Sequence, residues 1–306
     1  MEKIYENIIE LIGNTPLVEL KSFGAKHCPK ARLVAKLERQ NPAGSAKDRV
    51  AAAIIRKAKK EGALKEGGMI IEATSGNTGV GISACAAVYG YKAVIVMPEN
   101  MSMERRKLIA AYGAEIVLTP ASEGMKGAVK KAQELHEQNP GSIIAGQFVN
   151  DANPTAHYEA TGPEIWRDTE GKVAALVAGV GTGGTVSGAG RFLKEQNPDV
   201  YVVAVEPATS PLLSGGQAGP HKIQGIGANF IPEVLDREVY DRVMTVDNQD
   251  AYDAMAELAK CEGLLCGVSS GAAVIAAARL ASQPEYEGKI VVAVLPDTGE
   301  RYLSLL

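Results

Sequence analysis

Aromatic side chains are scarce in this chain of 306 residues: Phe, Tyr and Trp make up 5%, with a single Trp. Surfaces that stack nucleic-acid bases rely on such rings. Charge of one sign is lacking too, since 32 Lys and Arg stand against 36 Asp and Glu, giving a formal charge of -4 without a block of either sign. Together these shortages argue against a nucleic-acid partner. No apolar run reaches the ~18 residues of a membrane span. The opening, Met1-Glu2-Lys3-Ile4-Tyr5-Glu6, lacks the basic segment and apolar run of a secretory signal. A cytoplasmic protein without membrane association is expected. Cysteine is limited to Cys28, Cys85, Cys261 and Cys266, none in a C-x-x-C pair, and histidine to His27, His136, His157 and His221. That spacing fits no common zinc site, so four reduced thiols and no metal are expected.

Glycine, in contrast, is abundant, with 33 residues. It lets helices pack closely and lets bare backbone approach a ligand. Hydrophobic residues at 46% and charged residues at 22% are near the globular average, and the length suits about two domains. Strand-like runs at Leu33–Leu37, Met69–Glu72, Lys92–Met97, Glu115–Thr119 and Ser142–Ala145 alternate with helical segments. Ser45 and Ser102 are candidate N-caps, and Gly62 and Gly113 candidate stops. Further strands are expected at Val173–Val180, Val200–Val205 and Lys289–Leu295. A helix over 249–261 would place Tyr252, Met255, Ala256 and Ala259 on one face. This βαβα alternation predicts an α/β protein with parallel sheets covered by helices. Residues 207–232 are rich in Gly and Pro and lack periodicity, as in a functional loop or lid. A boundary falls near Asn150-Asp151-Ala152-Asn153-Pro154.

Three turns carry chemistry. Gly179-Val180-Gly181-Thr182-Gly183-Gly184-Thr185 follows a strand and opens a helix, where free N–H groups and the helix dipole suit a phosphate. Gly179, Gly181 and Gly184 also satisfy G-x-G-x-x-G, and Glu206 ends the next strand where a dinucleotide site places its ribose carboxylate. A nicotinamide-dependent dehydrogenase is therefore a rival reading. Thr74-Ser75-Gly76-Asn77-Thr78-Gly79 offers three hydroxyls and an amide at a helix start, which suits a small carboxylate, although a simple cap by Ser75 or Asn77 would need only one of them. In Asn41-Pro42-Ala43-Gly44-Ser45-Ala46-Lys47-Asp48-Arg49, Lys47 opposes the helix dipole, a local cost that hints at function. A fourth segment, Gly267-Val268-Ser269-Ser270-Gly271, also precedes a small-residue helix. A phosphate cradle, a carboxylate cradle and an odd lysine together suggest pyridoxal phosphate, whose aldehyde forms a Schiff base with lysine.

At these residues the chain resembles the cysteine synthase (O-acetylserine sulfhydrylase) family, within fold type II of the pyridoxal-phosphate enzymes. The likeness runs from Ile12-Gly13-Asn14-Thr15-Pro16-Leu17 to Gly299-Glu300-Arg301-Tyr302-Leu303-Ser304. It implies a tryptophan synthase β-like fold of two domains: residues 1–12 and 35–150 as a smaller, mobile substrate-binding domain, and 13–34 with 151–306 as a larger one binding the cofactor phosphate. By the same resemblance Lys47 is the Schiff-base lysine and general base, Asn77 contacts the ring hydroxyl, and Gly181, Thr182, Gly183, Gly184 and Thr185 hold the phosphate. Ser269 faces the pyridine nitrogen. Thr74, Ser75, Gly76, Thr78 and Gln147 bind the substrate carboxylate, and Gly225 lies in a flexible loop, Lys222-Ile223-Gln224-Gly225-Ile226-Gly227. The sequence departs from the family pattern at Ala46, Ala73 and Asp297. His157-Tyr158 and Cys266-Gly267-Val268 look more like the isoform that accepts larger thiol donors.

The resemblance implies β-replacement of O-acetyl-L-serine by sulfide through an aminoacrylate, giving L-cysteine and acetate. O-phosphoserine or serine is the alternative donor. It also implies a homodimer and a site that accepts the C-terminal peptide of serine acetyltransferase. A non-catalytic binding homologue is the remaining alternative, and the intact Lys47 argues against it.

Overall fold

Inner strands of parallel sheets are buried on both faces and read as continuous apolar runs, and such runs form the framework here. In the computed structural model, residues 4–74 and 76–305 are described. In chain order the regular elements are β1 (Leu17–Glu19), α1 (Lys21–His27), β2 (Arg32–Leu37), α2 (Lys47–Lys60), β3 (Met69–Ala73), α3 (Asn77–Tyr89) and β4 (Lys92–Pro98). There follow α4 (Met103–Ala111), β5 (Glu115–Thr119), α5 (Gly124–Gln138), β6 (Ile143–Ile144), α6 (Ala152–Ala156) and α7 (Gly162–Asp168). The chain continues through β7 (Val173–Gly179), α8 (Gly184–Gln196), β8 (Tyr201–Pro207), β9 (Arg242–Val246), α9 (Asn248–Glu262), α10 (Val268–Ala281) and β10 (Ile290–Leu295).

These elements form two compact units. The smaller comprises the described residues up to Ile12 with Asn41–Asn153, and the larger comprises Gly13–Gln40 with the described residues from Pro154 onward. Residues 35–40 go with the larger unit because β2 pairs there, between β1 and β10.

The smaller unit is built on a four-stranded sheet of order β5-β4-β3-β6, all parallel. The period of two sends alternate strand residues to opposite faces. Ile70, Ile95 and Met97 pack with Ile54 and Ile55 of α2, Ile82 of α3 and Ile109 of α4. Ile71, Val94 and Val96 pack with Ala128 and Ala132 of α5 on the other face.

The larger unit has a six-stranded sheet of order β1-β2-β10-β7-β8-β9, parallel except for the β1–β2 pair. Val291, Ala293 and Leu295 of β10 face α1, α9 and α10, while Ile290, Val292 and Val294 face α7 and α8. Lys36 of β2 is fully buried, and its Nζ lies 2.7 Å from Glu164 and 2.6 Å from Thr15 O. Glu164 also takes the Asn14 N–H at 2.9 Å, so the pair fixes the Gly13–Thr15 loop.

Several details differ from the sequence reading. The buried face of α9 is Ala251, Ala254, Met255 and Leu258. Tyr252, Ala256 and Ala259 lie at its half-exposed margin, because Leu258 and Ala251 complete the inward stripe instead. Ser45 is not the cap of α2. The N-cap is Ala46, and Ser45 Oγ accepts the Lys47 N–H at 3.2 Å from one residue earlier. Ser102 does cap α4, accepting the Arg105 N–H. Strands β1 and β9 are short edge strands with polar ends, and no apolar run announces them.

Candidate active site

In open α/β sheets, ligands bind beyond the carboxyl ends of strands where the strand order reverses. The smaller sheet reverses between β3 and β6, and the larger between β7 and β10. The segments following β3, β6 and β7 are those that the sequence singles out.

In the smaller unit, β3 ends at Ala73 and α3 begins at Asn77, with Gly76 as an N-cap that has no side chain to close the first turn. Thr74 is buried, and its Oγ1 accepts the Gly76 N–H at 3.2 Å. Asn77 is half-buried, Thr78 is buried, and Ser75 lies outside the described residues. Residue Gln147 arrives from beyond β6. Its Oε1 accepts the Thr78 hydroxyl, and its main-chain carbonyl accepts Asn153 Nδ2 at 2.8 Å. The structure thus joins Thr78 to Gln147 across 69 residues. Glu72, which the sequence reading passed over, stands directly behind. It is buried, and its Oε2 accepts the Gly146 N–H at 2.8 Å. Burial pushes its carboxyl up to about 7, opposed by the hydrogen bond from the Gly146 N–H. A lone charge inside the strand run Met69–Ala73 was the available signal.

Lys47 opens α2 and is half-buried. The preceding turn is tied by Asp48, whose Oδ2 accepts the Ala43 N–H at 2.6 Å and whose Oδ1 lies 3.4 Å from Ser45 Oγ. Gly44 has φ +81°, which only glycine adopts without strain. Helix α3 passes so close that a Cβ on Gly81 would fall 2.9 Å from Lys47 O.

In the larger unit, β7 runs into the Val180–Gly183 turn and then α8. Gly183, the N-cap, has φ +85°. A Cβ on Gly181 would lie 2.3 Å from Gly225 O, so loop and turn touch through bare backbone. Thr182 and Gly184 are buried, and Thr185 is half-buried with its hydroxyl 3.2 Å from His157 Nε2. A glycine cradle at the head of a 13-residue helix, with two hydroxyls, fits a phosphate dianion. Ser269 is buried in the first turn of α10, and the N-cap there is Gly267, so Ser269 is not the cap. A Cβ on Gly225, at φ +97°, would lie 3.4 Å from Ser269 Oγ. Gly181, Gly225 and Ser269 are therefore neighbours.

The dinucleotide alternative fails on Glu206. Its carboxylate accepts the Leu213 N–H at 2.8 Å, the Ser214 N–H at 2.9 Å and the Ser214 hydroxyl at 2.6 Å. It pins the residues 208–241, which form no helix or strand, and is not free for a ribose. Burial raises all four thiols, Cys85 and Cys266 to about 12. All four are free. Among the described residues no group of His, Cys, Asp and Glu could hold a metal ion, and no helix is long and apolar enough to cross a membrane.

The family model described as pyridoxal-phosphate dependent enzyme matches residues 8–297, and the chain belongs to that family. A cysteine synthase of Staphylococcus aureus is 53% identical over 304 residues, 99% of this chain and 97% of the relative. Among solved structures, a cysteine synthase of Entamoeba histolytica has TM-score 0.95 at 45% identity, covering 99% of this chain and 90% of that one. An O-ureido-L-serine synthase has TM-score 0.94 at 44% identity, covering 98% and 94%.

Proposed function

We propose that this pyridoxal-phosphate enzyme is a transferase that replaces the acetoxy group of O-acetyl-L-serine by sulfide, yielding L-cysteine and acetate. The observation that carries the reading is the Thr78 hydroxyl joined to Gln147 at the start of α3, a place suited to a carboxylate, in a chain 53% identical to a cysteine synthase over nearly its full length.

The residue roles are those that the resemblance to the family implies, and the chemistry of each described place is compatible with them. Gly181, Thr182, Gly183, Gly184 and Thr185 hold the cofactor phosphate through main-chain N–H groups, hydroxyls and the dipole of α8. Asn77 takes the ring hydroxyl. Ser269 would face the ring nitrogen with a neutral hydroxyl, which carries no charge to favour its protonated form. Lys47 would hold the cofactor through its Nζ. Bound pyridoxal phosphate supplies the electron sink that eases loss of the Cα proton and of the β-substituent. Lys47 Nζ takes that proton and later returns it. Thr74, Ser75, Gly76, Thr78 and Gln147 hold the substrate carboxylate, and Gly225 lines the substrate side. The thiols, kept protonated by burial, take no part. In this reading the smaller unit is the substrate-binding domain and the larger the phosphate-binding domain. The enzyme works as a cytoplasmic homodimer, and its site also accepts the C-terminal peptide of serine acetyltransferase.

Steady-state assays with sulfide and each of O-acetylserine, O-phosphoserine and serine test the assignment. L-cysteine should form fastest from O-acetylserine. Absence of cysteine from all three overturns the activity, and faster turnover of another donor reassigns the substrate.

A further inference from the structure

Helix α8 lies close against the segment that ends α6 and leads into α7. A Cβ on Gly188 would fall 2.0 Å from Pro154 O and 2.9 Å from His157 Cβ, and one on Gly162 would fall 2.8 Å from Phe192 Cβ. Thr185, Gly188 and Phe192 recur at helical spacing, so one face of α8 receives that segment. Residues His157–Thr161 form a single π-turn there, closed by the Gly162 N–H on His157 O. His157 is fully buried, with one ring nitrogen beside each of two hydroxyls. Its Nδ1 lies 2.9 Å from Thr161 Oγ1, and its Nε2 lies 3.2 Å from Thr185 Oγ1.

The burial of Thr161 decides which nitrogen carries the proton. A neutral imidazole donates from one nitrogen and accepts at the other. Thr161 is fully buried, and among the described residues His157 Nδ1 is the one hydrogen-bond partner of its hydroxyl. Were Nδ1 to donate, the Thr161 O–H would be left in the interior without an acceptor, at the full cost of its desolvation. Every group is paired only when Thr161 donates to Nδ1 and the ring proton sits on Nε2, donating to Thr185 Oγ1. Thr185 is half-buried in the first turn of α8. A hydroxyl that accepts from histidine keeps its own proton for another acceptor. With the opposite tautomer that proton would be spent on His157, and only lone pairs would face an anion.

We propose that His157, in the Nε2–H tautomer set by Thr161, is a positioning residue of the phosphate turn: it turns the Thr185 hydroxyl so that its proton is offered to the phosphate. The proposal rests on the reading of Gly181–Thr185 as the phosphate site. His157 is buried behind Thr185 and acts through it.

The test measures inorganic phosphate binding by calorimetry to the full chain stripped of cofactor, in wild type, Thr185→Val, His157→Asn and His157→Gln. A glutamine amide can reach the place of Nε2, whereas the shorter asparagine amide reaches only that of Nδ1. Loss of one charge-assisted hydrogen bond should weaken phosphate binding about tenfold in Thr185→Val and in His157→Asn. His157→Gln should bind more tightly than His157→Asn, and equal weakening in the two overturns directed donation. Wild-type affinity in His157→Asn, beside a weakened Thr185→Val, overturns the positioning role and leaves the phosphate site standing, even where Tm has fallen. Unchanged affinity in Thr185→Val overturns the underlying reading. A measurement on the wild-type holoenzyme covers variants that fail to fold. In protein labelled with 15N-histidine, the ring-nitrogen shifts show which nitrogen carries the proton. The His157 signals are those that survive in His27→Gln, His136→Gln and His221→Gln. They should show a protonated Nε2 and a bare Nδ1, and a proton on Nδ1, alone or together with Nε2, overturns the proposal.

Discussion

Lys47 stands on the first turn of a helix, where the positive end of the dipole disfavours a cation. The structure holds it there by other means, with Asp48 tying Ala43 and Ser45 in the turn before it. A side chain kept in an unfavourable place by its neighbours is one whose position has a use. Lys47→Ala should lose ~10²–10⁴-fold in turnover, the range for a missing general base. Borohydride reduction of the wild type followed by peptide mapping should tag Lys47, and a tag on another lysine would remove it from the mechanism. Glu72 yields a prediction about stability that is separate from binding. Its carboxyl titrates at about 7 in the folded chain against 4.5 as the ordinary value, so between these the folded state keeps a proton that the unfolded state has released. Stability therefore falls as pH rises from about 4.5 to about 7, by at most on the order of 3 kcal/mol, and Glu72 adds no slope outside that window. Glu72→Gln has no proton to lose. Its Tm relative to wild type should rise by several degrees between pH 5 and pH 8 in paired scans. A constant difference would mean that Glu72 does not titrate there.

Helices α2 and α3 meet where the structure leaves no room for a side chain. A Cβ at position 81 would stand 2.9 Å from Lys47 O and 3.3 Å from Ala51 Cβ. Gly81→Ala should cost about 1–3 kcal/mol by overpacking and displace the head of α2, lowering kcat along with Tm. Gly24→Ala in α1 is the control, since its Cβ would meet only Leu33 Cβ at 3.7 Å. Equal losses in both would show that close approach is not the reason for Gly81. The elements most legible in the sequence were those with a strong local signal. Strand β10, buried at all six positions, could only be an apolar run, and Ser102 announced α4 by its capping chemistry. Edge strand β9 is half-polar because one side lacks a partner, so its run Arg242–Val246 carries little signal. The face of α9 was misread because Ala and Tyr at neighbouring positions give a blurred period, which the packing on α10 resolves in favour of Leu258.

Across the whole molecule, the parts of the candidate site most legible in the sequence were the glycine turns, because a backbone that packs closely advertises itself by missing side chains, as at Gly181 and Gly183. Glu72 showed in the sequence only as a lone charge in a strand run, since its partner, the Gly146 N–H, lies 74 residues further along the chain. The dinucleotide rival was equally a product of local reading, and only the fold showed that Glu206 is occupied by Leu213 and Ser214. The phosphate turn itself can be tested at this scale, through the stability of the whole chain. A ligand that binds only the folded state stabilises it by RT ln(1 + [L]/Kd), about 2.7 kcal/mol at a hundredfold excess over Kd. Removing the cofactor should therefore lower Tm, and inorganic phosphate added to the stripped protein should restore part of the loss. Gly183→Asp sets a carboxylate against the anion and drives a Cβ to within 2.7 Å of Leu235 Cδ1, at a φ of +85° that aspartate tolerates poorly. The variant will start from a lower Tm for those reasons alone. The deciding quantity is the increment that phosphate adds to each stripped protein, which is independent of the starting point. It should be several degrees in wild type and absent in Gly183→Asp, and equal increments would place the phosphate somewhere other than the Gly181–Thr185 turn.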